Sequence, residues 1–292
     1  MADALPAAEA RLWVAMRDYK VKPVESLARG LRVLRALQEM RAASLHDLHL
    51  ATGLPKSTLT RILYTCHQQG VVWQRMADGA FLPSYQAGPR RVGLGAAPAD
   101  DADLLAEVAS PVLAKLGATV RWPSVLSVPR LEYMEVVETN TRRAYFDELP
   151  DRPAVNFRAN MLRSASGRAY LSFCPEQERR AVLLRLREHP IRGHELAYDP
   201  RAVAEFVAAT QRRGYAVRAA DFGGDYARPR SEVDDGRESI AMPIVVAGQV
   251  LGCVNITWRR AAATVRQMAA RHAADLRGAA TAIAERAAVQ AA

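Results

Sequence analysis

Apolar side chains three or four residues apart indicate a first helix near the start of the chain. The pattern consists of Leu27, Leu31, Val33, Leu34 and Leu37. We expect Ser26 to cap this helix, because a serine hydroxyl can accept a hydrogen bond from a backbone N–H of the first turn. The pattern ends at about Met40. The preceding residues 1–20 form an alanine-rich arm, which we expect to be a mobile extension.

Two further helices are predicted by their end signals. Ser44 and Asp47 stand three residues apart, as in a capping box, and mark the start of the second helix. That helix ends at Gly53. Pro55 suits the first turn of the third helix, where its missing N–H group would have no partner. The third helix should end just before Gly70, since glycine readily takes the left-handed conformation that closes a helix.

Two short apolar runs after the third helix predict a β-hairpin. Residues 71–73 and 80–82 have the composition of strands, and Asp78 with Gly79 forms a tight turn between them. Three helices followed by such a hairpin are the elements of a winged helix-turn-helix domain. We assign this domain to residues 21–95.

The rest of the chain alternates short strands with helices, which indicates an α+β fold. A stretch rich in glycine, proline and alanine at residues 86–100 is typical of a linker, so we assign residues 96–118 to a linker and connecting helix and residues 119–292 to a second domain. The predicted strands are 125–128, 133–138, 240–246 and 250–258, the last two joined by a hairpin at Gly248. The predicted helices are 101–116, 166–173, 176–188, 200–213 and 264–288.

Composition and cysteine spacing exclude several classes of protein. The chain has 292 residues, half of them apolar, which suits two domains with separate cores. Apolar runs are too short to span a bilayer, and charges interrupt the first twenty residues, so we expect a cytoplasmic protein without membrane contact. Three cysteines lie far apart without CxxC spacing, which predicts neither disulfides nor a zinc site, and we expect no cofactor.

Positive charge is concentrated in the first domain. The whole chain carries a net charge of +9, and residues 22–91 hold ten basic side chains against four acidic ones. A local excess of six places about two thirds of the net charge in a quarter of the chain. Such a surface favours a polyanionic partner.

The second and third helices have the order and turn of a helix-turn-helix, whose second helix enters the DNA major groove with its N-terminal residues nearest the bases. Basic side chains and hydroxyls can contact guanine, phosphate or both, and a helix N-terminus attracts phosphate. The predicted contacts to double-stranded operator DNA are Ser44, Lys56, Ser57, Thr58, Thr60, Arg61 and the hairpin residue Arg75. The alternative is a helical hairpin with a solvated basic face, in which Arg75 is an ordinary surface residue.

Several segments resemble the IclR family of bacterial regulators in order and spacing. In the first domain they are Ser26-Leu-Ala-Arg-Gly-Leu-Arg-Val-Leu, Ser44-Leu-His-Asp-Leu, Thr52-Gly-Leu-Pro-Lys-Ser-Thr-Leu-Thr-Arg-Ile-Leu and Gly70-Val-Val. In the second they are Ser166-Gly-Arg-Ala-Tyr-Leu-Ser-Phe, Arg212-Arg-Gly-Tyr-Ala-Val, Ser239-Ile-Ala-Met-Pro-Ile and Val250-Leu-Gly-Cys-Val-Asn-Ile. The resemblance extends from Val24 to Ala288.

The resemblance implies that the second domain is GAF-like, an antiparallel sheet flanked by helices with a small-molecule effector pocket on one face. Carried over by position, the pocket residues are Asn156, Met161, Ser239, Asn255 and Thr257. The last two are two residues apart and share a sheet face, where they could hold a carboxylate. Alternatively, they are only exposed strand residues. Many relatives have Ser at position 255 and Cys at position 239, so the effector cannot be copied from them.

Further segments resemble the subgroup that activates catabolism of hydroxyphenylpropionate and related aromatic acids. They are Arg121-Trp-Pro-Ser, Ser164-Ala-Ser-Gly and Phe173-Cys-Pro-Glu-Gln-Glu-Arg. A carboxylic acid, and in particular an aromatic one, needs an apolar slot and a donor for its carboxylate. Tyr133, Phe157 and Met161 could form the slot, and Arg158 or Arg163 could supply the charge, unless these arginines are structural.

Two other classes of function remain as alternatives. The six histidines lack HExxH spacing, and neither GxSxG nor Walker A sequences occur, so we expect no enzyme. Cys174 could be a nucleophile but is more simply a buried thiol. A protein-interaction module would bind without preference for an operator. Paired half-sites call for a homo-oligomer, a dimer or a tetramer, formed through the first and connecting helices, and RNA polymerase is a candidate further partner.

Overall fold

The computed structural model describes residues 22–84, 101–141 and 155–291. The expected N-terminal arm and most of the expected linker lie outside these ranges. The first described unit contains three helices, α1 (Glu25–Met40), α2 (Leu45–Thr52) and α3 (Lys56–Gln68). They pack around a small apolar core made of Val33, Leu37, Ala43, Leu48, Leu54, Leu59, Leu63 and Val72.

The ends of these helices follow local capping rules, with one exception. The Ser44 side chain accepts from the Asp47 N–H, and the Asp47 carboxylate accepts from the Ser44 N–H, so the predicted capping box of α2 is confirmed. The predicted cap of α1 is wrong. This helix begins at Glu25 after Val24, without a side-chain cap, and places Ser26 inside the first turn. A negative charge at Glu25 suits the positive end of the helix dipole.

The hairpin consists of β1 (Val72–Gln74) and β2 (Phe81–Pro83), which pair in antiparallel register. Two backbone hydrogen bonds between Ala43 and Phe81 tie it to the start of α2. Gly79 has a φ of +75° in the turn, a conformation that glycine adopts without strain. We call this hairpin, residues 72–83, the wing.

A six-stranded antiparallel sheet forms the centre of the remaining chain, with the strand order β5-β4-β3-β8-β7-β6. Its strands are β3 (Ser124–Pro129), β4 (Tyr133–Thr139), β5 (Arg158–Asn160), β6 (Ala216–Val217), β7 (Arg237–Val246) and β8 (Gln249–Arg259). The helices are α4 (Asp101–Val120), α5 (Ala165–Phe173), α6 (Glu176–Glu188), α7 (Pro200–Arg213) and α8 (Val265–Ala291), with a 3₁₀ helix at Glu195–Tyr198.

Both faces of the sheet are covered, because successive side chains of a strand point to opposite faces. Ile240, Met242 and Ile244 pack with helices α4 and α8 on one face. Ala241 and Cys253 pack with α5, α6 and α7 on the other, which we call the α5 face. The structure is therefore the predicted antiparallel sheet flanked by helices. Within the described ranges, no helix has both the length and the apolar character required to cross a bilayer.

Candidate functional site

One side of α3 is exposed and carries polar and aromatic side chains. Ser57, Thr60, Arg61 and Tyr64 are exposed at spacing i, i+3, i+4 and i+7, whereas Leu59 and the other core residues of α3 are buried on the opposite side. This is the spacing at which the recognition helix of a homeodomain presents its base-contacting residues. We call these four residues the reading face.

The cations of α3 are available to a ligand. Lys56 and Arg61 are exposed, and neither side chain has a hydrogen-bond or ion-pair partner among the described residues. The Thr60 hydroxyl donates to the Lys56 carbonyl oxygen at 2.9 Å, which leaves its oxygen free to accept. Thr58 is half-buried and lies beside the reading face rather than on it.

The N-terminus of α3 is open. Pro55 occupies the cap position and makes no side-chain hydrogen bond to the first turn. The first backbone N–H groups of a helix have no partner inside the helix. Together with the helix dipole they favour an anion such as a phosphate at this end.

Two other predicted DNA contacts already have partners within the chain. The Ser44 hydroxyl donates to the Asp47 carboxylate at 2.6 Å as part of the α2 cap. In the wing turn, Arg75 makes a two-pronged ion pair with Asp78, with distances of 3.1 and 2.6 Å. Burial by itself raises the pKa of the Asp78 carboxyl, but hydrogen bonds from Arg75 and the Ala80 N–H outweigh it and lower the pKa. Contact of either residue with DNA stays a prediction.

Sequence reasoning missed Tyr64. Its side chain is 65% exposed, although it is large and aromatic. The signal that could have identified it is its position seven residues after Ser57, two helical turns along the same face.

The predicted effector residues fall into two groups. Ser239 on β7 lies directly opposite Thr257 on β8, and Asn255 lies two residues before Thr257, so all three belong to the α5 face. The Asn255 amide donates to the Thr257 hydroxyl at 3.1 Å, and Ser239 and Asn255 are buried. The predicted shared face is therefore present.

The second group lies at a cavity of about 430 Å³ at the β5 edge of the sheet, which we call the edge cavity. Asn156 and Arg158 line it together with Tyr226, and the Arg158 guanidinium lies 4.7 Å from the centre of the Tyr133 ring. The Tyr226 hydroxyl contacts His194 at 2.8 Å and donates to the Glu132 carbonyl oxygen at 3.1 Å. Burial, followed by the charge of Glu132, raises the pKa of Tyr226 to about 12, so its hydroxyl stays protonated at neutral pH.

The two groups are separated by intervening strands. Neighbouring strands lie about 4.8 Å apart, which places β8 about 14 Å from β5 across β3 and β4. Met161 is only 1% exposed, packs in the core with α5 and is not among the residues that line the edge cavity. Arg163 is also buried, and it donates to the Asp221 carbonyl oxygen at 2.9 Å. Arg158, unlike Arg163, therefore faces the edge cavity.

The candidate nucleophile Cys174 is a buried thiol. Burial raises the pKa of the Cys174 thiol to about 11, which keeps it protonated and poorly nucleophilic at neutral pH. In the part of the chain that the structure describes, no three histidine, cysteine, aspartate or glutamate side chains gather as a metal site would require.

Comparison with known proteins supports the helix-turn-helix. Residues 26–75 match the family model of the IclR helix-turn-helix domain. The chain is 28% identical over 216 residues to the acetate operon repressor of Salmonella typhimurium strain LT2, which covers 72% of this chain and 75% of that protein. It is also 28% identical over 197 residues to the transcriptional repressor IclR of Escherichia coli K12, covering 66% of this chain and 68% of that protein.

A solved structure agrees in fold. The IclR structure from Thermotoga maritima superposes with a TM-score of 0.50 at 15% identity, over 91% of this chain and all of that one. Residues 26–75 thus have the sequence of an IclR-type helix-turn-helix domain, and the chain as a whole is similar to transcriptional repressors of the IclR type.

Proposed function

We propose that the protein binds a specific double-stranded operator through the reading face of α3. The observation that carries this proposal is the combination of two unpaired, exposed cations with an uncapped helix N-terminus on one side of α3. Phosphates would meet Lys56 and the helix N-terminus, while Thr60 and Arg61 reach the base edges. The net positive charge of this region adds a salt-dependent attraction to any duplex.

The test begins with a duplex that the full chain selects from a random-sequence pool. Arg61→Ala should weaken binding to this duplex, and if Arg61 neutralises a phosphate, the slope of log affinity against log salt falls by about one. Arg35→Ala is the matched control, since Arg35 is an exposed arginine on α1 outside the reading face. Failure to select any duplex would contradict operator recognition. Equal losses of affinity in both variants would mean that the domain binds DNA only by general electrostatic attraction.

We infer that the protein acts as a homo-oligomer, because one recognition helix contacts too few base pairs for high specificity. Leu27 and Leu31 on α1 are 60% and 48% exposed and offer an apolar surface to a second copy. α4 contributes most of its apolar side chains to the core of its own chain. We therefore assign the main contact to α1. Sedimentation of the Leu27→Ser, Leu31→Ser variant should show a smaller species than the unaltered chain.

We infer that a small carboxylic acid, and in particular an aromatic one, acts as the effector. The edge cavity offers the guanidinium of Arg158, which packs on the Tyr133 ring, to a carboxylate and the ring of Phe157 to an apolar body. Its volume suits a compact ligand. The α5-face group is the alternative position, with the Ser239 and Thr257 hydroxyls and the Asn255 amide as donors.

Thermal-shift measurements with benzoates and phenylpropionates test both positions. Arg158→Gln should abolish the shift if the carboxylate lies in the edge cavity, whereas Asn255→Leu should abolish it if the ligand lies on the α5 face. Operator binding without ligand should persist in both variants. Loss of operator binding as well would indicate misfolding, and no shift with any acid would contradict this class of effector.

A further inference from the structure

A carboxylate of the central sheet binds the backbone of the wing. Glu138 on β4 accepts hydrogen bonds from the N–H groups of Met76 and Ala77 in the wing turn, at 3.1 and 3.0 Å. It also accepts from the Thr139 N–H at 2.8 Å and from the Ser110 hydroxyl on α4. Residues about sixty positions apart in the sequence are thereby joined by one side chain.

Burial of this carboxylate is energetically unfavourable, and hydrogen bonds from the wing offset the penalty. Glu138 has no solvent exposure, and in the described ranges no lysine or arginine pairs with it. Burial raises the pKa of its carboxyl, and the N–H groups of Thr139, Met76 and Ala77 oppose that rise. A buried charge without these donors would be strongly unfavourable. The wing turn is therefore the partner that the charge requires.

Apolar packing fixes the wing against the same part of the molecule. Trp73, Ala80 and Leu82 are buried in the core that contains α4, whereas Val72 of the wing and the core residues of α3 belong to the small core around Val33 and Leu37. Apolar contacts set the distance of the wing from the sheet but are not directional. Hydrogen bonds to two consecutive N–H groups do fix an orientation.

We propose that Glu138 is a positioning residue for operator binding, holding the wing turn in the orientation in which it meets DNA beside α3. This inference rests on the proposed operator recognition. Glu138 touches no DNA in this scheme and acts through Met76 and Ala77. It also lies on the strand that carries Tyr133, five residues or about 16 Å away. Tyr133 packs against Arg158 of the edge cavity, so β4 links that cavity to the wing.

The test compares Glu138→Gln with Glu135→Gln. Both changes remove one carboxylate from β4, but Glu135 pairs with Arg130 and not with the wing. Glu138→Gln places an amide donor where the wing presents donors, so affinity for the selected duplex should fall about tenfold, with affinity for unrelated duplex within twofold of the unaltered protein. Hydrogen exchange at the Met76 and Ala77 amides should accelerate by at least tenfold. Glu135→Gln should change neither measurement.

Specific affinity and wing exchange that are unchanged in Glu138→Gln would overturn the inference. A parallel loss of specific and non-specific affinity would also overturn it, because that pattern indicates general destabilisation. If circular dichroism shows that Glu138→Gln does not fold, Glu138→Asp, which keeps the charge but shortens its reach, is judged by the same two criteria. Failure of the unaltered chain to select a duplex would instead contradict the proposed function itself.

Discussion

The buried side chain of Asn160 connects the segments around the edge cavity by hydrogen bonds. The loss in the free energy of unfolding on its removal can be worked out from these bonds. This residue at the end of β5 has no solvent exposure. Its amide donates to the carbonyl oxygens of Gly193 and Tyr226 at 3.0 and 2.9 Å. Its carbonyl oxygen accepts from the N–H groups of Leu162 and Arg163 at 2.9 and 3.0 Å. Both donor hydrogens and both acceptor lone pairs of the side chain are thus used.

Asn160→Ala leaves two backbone N–H groups and two carbonyl oxygens without their partner. A buried group deprived of its hydrogen bond costs about 1–3 kcal/mol. Because the four groups share one site and can relax together, we use the lower value for each and expect a loss of about 4 kcal/mol in the free energy of unfolding. A loss of this size is large against the stability of an ordinary domain.

Urea unfolding followed by intrinsic fluorescence measures this loss, since Trp258 is buried in the central sheet. Gln211→Ala serves as the control, because this exposed side chain makes one hydrogen bond, to the Ser172 carbonyl oxygen. The control should lose no more than about 1.5 kcal/mol. A loss for Asn160→Ala that does not exceed that of Gln211→Ala would refute the reasoning, since it would mean that the four bonds do not act on the folded state.

Two further predictions concern the reading face and the loop beside the cavity. Tyr64→Ala should reduce the preference for the selected duplex over unrelated DNA. The slope of log affinity against log salt should not change, because an uncharged ring contacts bases and neutralises no phosphate. Leu50→Ala, at an exposed position on α2, is the control in the same binding titration. Hydrogen bonds to Asp225 from the Arg228 N–H and guanidinium lower the pKa of its carboxyl to about 2. This contribution to stability is present above the unfolded pKa of about 3.8 and is lost as the pH falls towards 2, so denaturation curves of Asp225→Asn and the unaltered chain should converge over that range.

Elements with local signals could be predicted from the sequence almost to the residue. The Ser44 and Asp47 capping box, the glycine after α2 and the range 200–213 of α7 are determined by neighbouring residues. The short strands β5 and β6 were not predicted. Two or three residues are too few to show a period of two, and these strands exist only because β4 and β7 offer their edges for pairing. Similarly, β7 begins at Arg237, earlier than its apolar run, because β8 extends opposite it.

The candidate site shows the same division between local and non-local information. A period of two suffices to place Asn255 and Thr257 on one sheet face, and the register with β8 adds Ser239. The order of the strands in the sheet cannot be inferred from any local sequence pattern, so the distance between these residues and Asn156 could not be predicted. The role of Tyr226 was equally hidden, because it reaches the cavity from a loop distant in sequence.

The wing belongs to the first domain by its position in the sequence, but its packing also joins it to the second. In sequence it continues the helix-turn-helix, and two backbone hydrogen bonds join Phe81 to Ala43. In packing it contacts both units, since Val72 lies in the small core with α3, whereas Leu82 is buried beside α4 and Glu138 binds its turn. An effector can act on DNA only through a difference in affinity between two arrangements of the protein. Because Glu138 joins β4 to the wing turn, a ligand that displaced β4 would act first on the orientation of that turn, and a bound operator would sense the change.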